Sequence, residues 1–264
     1  MVAPSFRSLV FCAILSSSTS FVVTSPKLAF AQIAPLVHLS PSDYSPSINP
    51  LNPDRFILST ARTAFRRFSS NDHRIRYLFN HLRSGAGFRP VTTRIPSTAS
   101  ETSRFGGDCS DLTLAFISAI RELNRLGAGI RYGAQVLQLG SPNSFHMVAL
   151  VPYRGRVVPA DLITTNLGEI SQSSYSVSLT YPVSTNPISP SAMYHAEWGD
   201  YFRENRTQDS TFISRAIAAY RRSLELFEQD PFVHGNLAFL CNLTGDTACQ
   251  IYHNSRRDEL RNRN

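Results

Sequence analysis

Lysine is almost missing from this 264-residue chain: Lys27 is the only one, and arginine supplies the rest of the 26 basic side chains. The arginines form no long run either. Pairs such as Arg66-Arg67, Arg221-Arg222 and Arg256-Arg257 are scattered and read as solvated faces, so the net charge of +7 points to no nucleic-acid partner. No apolar run is long enough to span a bilayer as a stable anchor. No glycine-rich loop of the phosphate-cradling kind occurs. His38, His73, His81, His195, His234 and His253 show no ligand spacing with cysteines or carboxylates, so neither a metal nor a cofactor is expected. Cysteine is scarce as well, with Cys12, Cys109, Cys241 and Cys249 making up the full set of 4.

What is present starts at the N-terminus. Arg7 precedes the apolar run Leu9 to Leu15, and Ala29-Phe30-Ala31 has the small-x-small pattern of a cleavage site. This predicts a signal peptide over residues 1–31, a mature chain from about Gln32, and an exported, periplasmic or secreted protein. Removing the leader takes Cys12 and leaves three cysteines in an oxidising compartment. Cys241 and Cys249 flank the turn Asn242-Leu243-Thr244-Gly245-Asp246 and could be bridged, which would leave Cys109 as the lone thiol. The alternative is that all three are buried small hydrophobes.

Residues 32–54 are rich in proline and serine and read as a linker or a wrapped extended arm, because that composition cannot bury a core. A helix is expected from Asp54, with Phe56, Ile57, Ala61, Ala64 and Phe65 at helical spacing, and another over Ile75 to Leu82. Residues 88 to 97 read as extended, and Pro96 to Thr102 as the start of a short helix. The turn Gly106-Gly107-Asp108-Cys109-Ser110-Asp111 then opens a long amphipathic helix, carried by Leu112, Phe116, Ala119, Ile120, Leu123 and Leu126 and ended by Gly127 and Gly129. Strands are expected over Ile130 to Leu139, Phe145 to Tyr153 and Arg156 to Leu162, the last two joined by a tight hairpin at Arg154-Gly155. Tyr175 to Leu179 is one more strand candidate. Four helices follow, over Tyr194 to Phe202, Phe212 to Phe227, Phe232 to Leu243 and Thr247 to Leu260. One long helix and a strand meander argue for an α+β fold with an antiparallel sheet. The domain expectation is 55–190 for a catalytic unit and 191–264 for a helical tail.

The chemistry centres on Cys109. A thiol reacts as its thiolate, and the first turn of a helix favours negative charge. Asp108 can cap that helix, but its charge opposes the thiolate, so a paired imidazolium has to prevail. Ser110 is a weaker candidate nucleophile with no dedicated base. His146 lies in the second strand and Asp161 at the end of the third, where neighbouring antiparallel strands can let a carboxylate orient an imidazole.

Gly107-Asp108-Cys109-Ser110-Asp111, Gly129-Ile130-Arg131, His146-Met147-Val148 and Val157-Val158-Pro159-Ala160-Asp161, taken in that order, resemble the transglutaminase-like superfamily. The likeness is strongest to bacterial transglutaminase-like cysteine proteinases, over roughly residues 54 to 165. It implies a papain/transglutaminase-like core with Cys109 as nucleophile, His146 as base and Asp161 as the acid that orients the histidine. Met147 stands where the family usually carries an aromatic residue. The implied activity is thiol-dependent acyl transfer, chiefly amide or peptide hydrolysis through a thioester, with a peptide or protein substrate. Ala216 to Leu226, Pro231, Asn236-Leu237-Ala238 and Gly245-Asp246 resemble tetratricopeptide repeats, which implies a surface for a protein partner. The rival expectation is a non-catalytic envelope scaffold or peptide-binding protein built on the same folds.

Overall fold

The computed structural model describes residues 40–85, 95–139, 145–171, 174–185, 187 and 189–263. The leader, residues 32–39 of the arm and most of the extended stretch before Pro96 lie outside the described residues. Among those described, eight α-helices and one four-stranded antiparallel sheet give a mixed α+β architecture. No described helix is long and apolar enough to cross a membrane.

Two helices lead in. In α1 (Arg55–Arg67) the Asp54 side chain accepts the Ile57 N–H, and Ile57, Thr60, Ala61 and Ala64 form the buried stripe. In α2 (Asn71–Ser84) Ser70 caps the first turn and Ile75, Leu78, Phe79 and Leu82 are buried. A short α3 (Ala99–Phe105) starts with a reciprocal capping box between Thr98 and Glu101.

The helix at the centre is α4 (Cys109–Arg125). Its hydrophobic period predicted an amphipathic helix, but every residue from Cys109 to Ile120 is buried. The arm, α1, α3, α5 and the sheet all pack around it. Polar residues tolerate this enclosure because each finds a partner. The Thr113 hydroxyl donates to the Met147 carbonyl at 3.0 Å, and Ser118 donates to the Leu51 carbonyl at 2.7 Å. Glu122 pairs with Arg125 and Arg62.

Strands β1 (Tyr132–Leu139), β2 (Phe145–Tyr153), β3 (Arg156–Ala160) and β4 (Tyr175–Ser184) lie in the order β3-β2-β1-β4. β2 is covered on both faces, since Phe145 to Val151 are all buried and His146 is the one polar side chain in that run. The β2–β3 turn needs two residues in the left-handed region, and Arg154 (φ 52°) and Gly155 (φ 76°) supply them. Asp72, in the first turn of α2, accepts the Arg154 N–H at 3.1 Å and pins the turn to the helices. β4 runs five residues beyond the expected strand, to Ser184, and its pairing with β1 shifts register twice. It borders the sheet with Tyr175 and Val177 exposed.

The tail is two helix pairs, α5 (Ser191–Glu204) with α6 (Phe212–Leu226) and α7 (Pro231–Leu243) with α8 (Thr247–Arg261). Cys241 and Cys249 are joined by a disulfide that spans the α7–α8 turn, and Cys109 is the described cysteine outside a disulfide. Closing a loop of 8 residues in this way stabilises the hairpin by about 2.5 kcal/mol on the chain-entropy account. The arm is not a bare linker. Tyr44 is buried against Trp198 at 5.0 Å and Phe202 at 5.6 Å, and its hydroxyl bonds His195 Nδ1 at 3.0 Å. A few apolar anchors suffice here because they enter a core that other segments build. One continuous cluster of buried side chains runs from Tyr44 and Leu51 through α4 and the sheet to Leu240.

Candidate active site

Cys109 is the first residue of α4 and is buried, at 4 % exposure. The turn before it is set by Asp108, whose carboxylate accepts the N–H groups of Ser110 and Asp111 at 3.0 and 3.2 Å. The same oxygen takes the Ser110 hydroxyl at 2.6 Å, which engages that hydroxyl away from any nucleophilic role. Asp111 reaches back to the Asp108 N–H and completes a capping box. Gly107 is glycine for want of room, since a Cβ there would sit 2.4 Å from the Cβ of Asp111.

His146 and Asp161 come together as the spacing predicted, with one adjustment. β3 ends at Ala160, so Asp161 is the first residue of the turn that follows. Ala149 pairs with Ala160, and carrying that register one residue further sets Asp161 opposite Val148, diagonal to His146 on the same face. His146 Nε2 and Asp161 Oδ2 are 2.7 Å apart, with the residues 1 % and 2 % exposed. Asp161 is itself held, Oδ1 by the Ile163 N–H at 3.0 Å and Oδ2 by the Ser171 N–H at 2.9 Å. The Ser171 hydroxyl lies 3.4 Å from His146 Nε2. The remaining ring nitrogen, Nδ1, is buried without a nitrogen or oxygen partner. The charge of Cys109 acts on the ring and favours the imidazolium. With Nε2 taken by Asp161, Nδ1 is the ring nitrogen left uncommitted.

These contacts set the charge state. Burial alone would push the His146 imidazolium towards the neutral form. The charge of Cys109, the hydrogen bonds from Asp161 and Cys109 and the Asp161 charge outweigh it and raise the pKa from 6.5 to about 10. Burial pushes Asp161 upwards, but the hydrogen bond and charge of His146, with the N–H groups of Ser171 and Ile163, hold it below the usual carboxylate range. A histidine whose folded pKa exceeds its unfolded value stabilises the fold fully below pH 6.5 and loses that contribution as pH climbs to about 10. Asp161 acts the other way, and its contribution is lost only as pH falls below its ordinary value of 3.8. The unfolding free energy should therefore drop by on the order of 3 kcal/mol more between pH 6.5 and 10 in the wild type than in His146→Gln. Urea unfolding across that range checks it, and parallel pH profiles for the two proteins would contradict the ion pair.

Two contributors were not visible in the sequence. Ser171 acts through its backbone N–H, which leaves no side-chain signal. The double role of Asp111 could have been read from an acidic residue three places after an N-cap aspartate, but its partner Ser97, whose N–H donates to Asp111 at 2.8 Å, could not. Among the described residues, no group of three or more histidine, cysteine, aspartate or glutamate side chains is placed to hold a metal ion. A cleft of about 500 Å³ between the arm and the C-terminal half of α4, and one of about 270 Å³ on α2, are lined by none of Cys109, His146 and Asp161. No family model, curated protein or solved structure matches this chain, so the geometry of the site is what any functional reading has to work from.

Proposed function

We propose that the chain is a thiol-dependent acyl-transfer enzyme, an amide or peptide hydrolase, with Cys109 as nucleophile, His146 as acid and base and Asp161 as its orienting residue. The observation that carries this reading is the 2.7 Å bond from His146 Nε2 to Asp161, which commits one ring nitrogen and leaves Nδ1 for the thiol. The Cys109 thiolate attacks the substrate carbonyl, and the N–H at the start of α4 is an oxyanion donor. His146 gives its proton to the leaving amine as the C–N bond breaks, and a thioester remains. Water, deprotonated by His146, then attacks the thioester, and the C–S bond breaks to return the thiolate.

The finer architecture belongs to the same proposal: a papain/transglutaminase-like core over 55–190 and a tetratricopeptide-like tail over 191–264 that offers a partner surface. Its support is the nucleophile at the start of a central helix, followed in sequence by an antiparallel sheet and two helix pairs. Export, with release of the leader, is part of it, and the Cys241–Cys249 disulfide fits an oxidising compartment. A second reading, a non-catalytic scaffold or peptide-binding protein, draws on the 4 % exposure of Cys109. An activated ester separates them. Incubation with p-nitrophenyl acetate should place a single acetyl group on Cys109, seen by mass spectrometry, and Cys109→Ser should abolish it. Acetylation absent from Cys109 would favour the scaffold.

A further inference from the structure

The last helix of the tail is held by polar contacts more than by a core. α8 packs on α7, yet among the described residues of α8 only Leu260 is buried, and Ile251 and Tyr252 are exposed. In place of a broad apolar stripe the two helices share a pair of histidines. His234 of α7, 1 % exposed, and His253 of α8, half-buried, set their Nδ1 atoms 2.8 Å apart. The other nitrogen of His234, Nε2, lies 3.0 Å from the Glu228 carbonyl. A carbonyl only accepts, so that nitrogen carries the proton and, in the neutral ring, Nδ1 has only its lone pair. The proton between the rings therefore belongs to His253, whose Nδ1–H donates to His234 Nδ1. One further proton can enter this arrangement, on His253 Nε2, without breaking the bond. A second would have to take the His234 lone pair itself, and two N–H groups would then face each other across 2.8 Å.

We propose that His234 and His253 form an acid-released latch, which holds α8 on α7 while the pair carries at most one added proton and frees the helix when both rings become cations. The Cys241–Cys249 disulfide at the hairpin turn keeps the released helix tethered. The surroundings oppose added charge on the pair. Arg221 of α6 acts on His253, and Arg256 of α8 acts on His234. Glu228, between α6 and α7, favours the His234 cation, but its carboxylate is paired with Arg256 at 3.3 Å. The Tyr252 ring lies 4.9 Å from the His253 ring and 6.4 Å from that of His234. Burial, His234 and Arg221 push His253 down to about 4, and burial with Arg256 outweighs Glu228 and lowers His234. Once α8 leaves, both rings meet water and regain their ordinary value of 6.5. Because the docked rings bind protons more weakly than the free ones, docking is strongest above pH 6.5 and weakens as pH falls. With one proton taken up on release, the undocking constant rises about 100-fold by about pH 4.5. The latch works whether or not Cys109 is a nucleophile.

The test is hydrogen exchange of the full chain with its disulfide intact, read by mass spectrometry and corrected for the intrinsic pH dependence of amide exchange. Protection of residues 247–261 should fall about 100-fold between pH 6.5 and about 4.5, a fall that α4 does not share. A loss in α8 no larger than that in α4 overturns the proposal. The double variant His234→Gln/His253→Gln, whose amides can still bond across the helices but take no proton, should protect α8 equally at both ends of the range. A pH dependence as steep as that of the wild type in this variant also overturns the latch. If the variant leaves α8 unprotected throughout, the ring C2–H signals of His234 and His253 in the wild type decide, followed by NMR. Both should titrate together with the loss of α8 protection. Rings that titrate near pH 6.5 while α8 stays protected overturn the proposal.

Discussion

Replacing His146 with alanine should slow iodoacetamide labelling of Cys109 at neutral pH by about 100-fold, the lower end of what a positioned acid–base residue contributes. The reason lies in the ring's two nitrogens. Asp161 fixes one at 2.7 Å and stabilises the cation, and the cation in turn stabilises sulfur as the anion. By that reciprocity, whatever raises the imidazole also favours the thiolate. Alanine removes both halves and leaves the Asp108 carboxylate at the helix start with nothing to oppose it. Because the Asp161 carboxylate would then be buried without its histidine, the rate must be measured under conditions where the variant still unfolds cooperatively. Labelling indifferent to position 146 in such a folded variant would remove the basis for the triad.

Asp200→Ala should cost about 3–5 kcal/mol of unfolding free energy, the range expected when one member of a buried ionic network is removed. Asp200 Oδ1 collects three donors: the Tyr220 hydroxyl at 2.6 Å, Asn236 Nδ2 at 3.0 Å and Arg203 Nη2 at 3.3 Å. The Arg203 side chain is only 7 % exposed, and its Nε donates to the Tyr220 hydroxyl. Alanine would leave a nearly enclosed guanidinium with Glu204 as its remaining carboxylate, itself 39 % exposed. It would also strand the Tyr220 proton and the Asn236 amide. Asp200→Asn keeps an acceptor oxygen and should cost clearly less. Urea denaturation of the two variants gives the comparison, and a loss below about 1 kcal/mol for alanine would show that this network is only weakly coupled to the fold.

How far the sequence went depended on whether the information was local. The start of α4 was legible because an N-cap aspartate, a following thiol and an apolar period all lie within one stretch of chain. The β2–β3 hairpin was legible because Arg154-Gly155 meets a backbone requirement that few residue pairs meet. His146 and Asp161 could be paired because a short hairpin converts a sequence interval into a distance. Contacts that depend on the path of the whole chain could not be read. Tyr44 read as part of a linker or a wrapped arm, and nothing local told that it meets helices about 150 residues further on. The enclosure of α4 on all sides was hidden for the same reason, since a helix's own period cannot reveal what covers its polar face.

The sheet's borders bear on how the molecule behaves in crowded solution. β4 is a ten-residue edge with Tyr175 and Val177 exposed, the kind of strand that can recruit an identical one and begin a fibre. Its two register shifts and Pro182 break the flat row of donors and acceptors that such stacking needs. The opposite edge, β3, is five residues long and carries Pro159. Among the described residues, both borders of the sheet are thus poor templates for an identical strand.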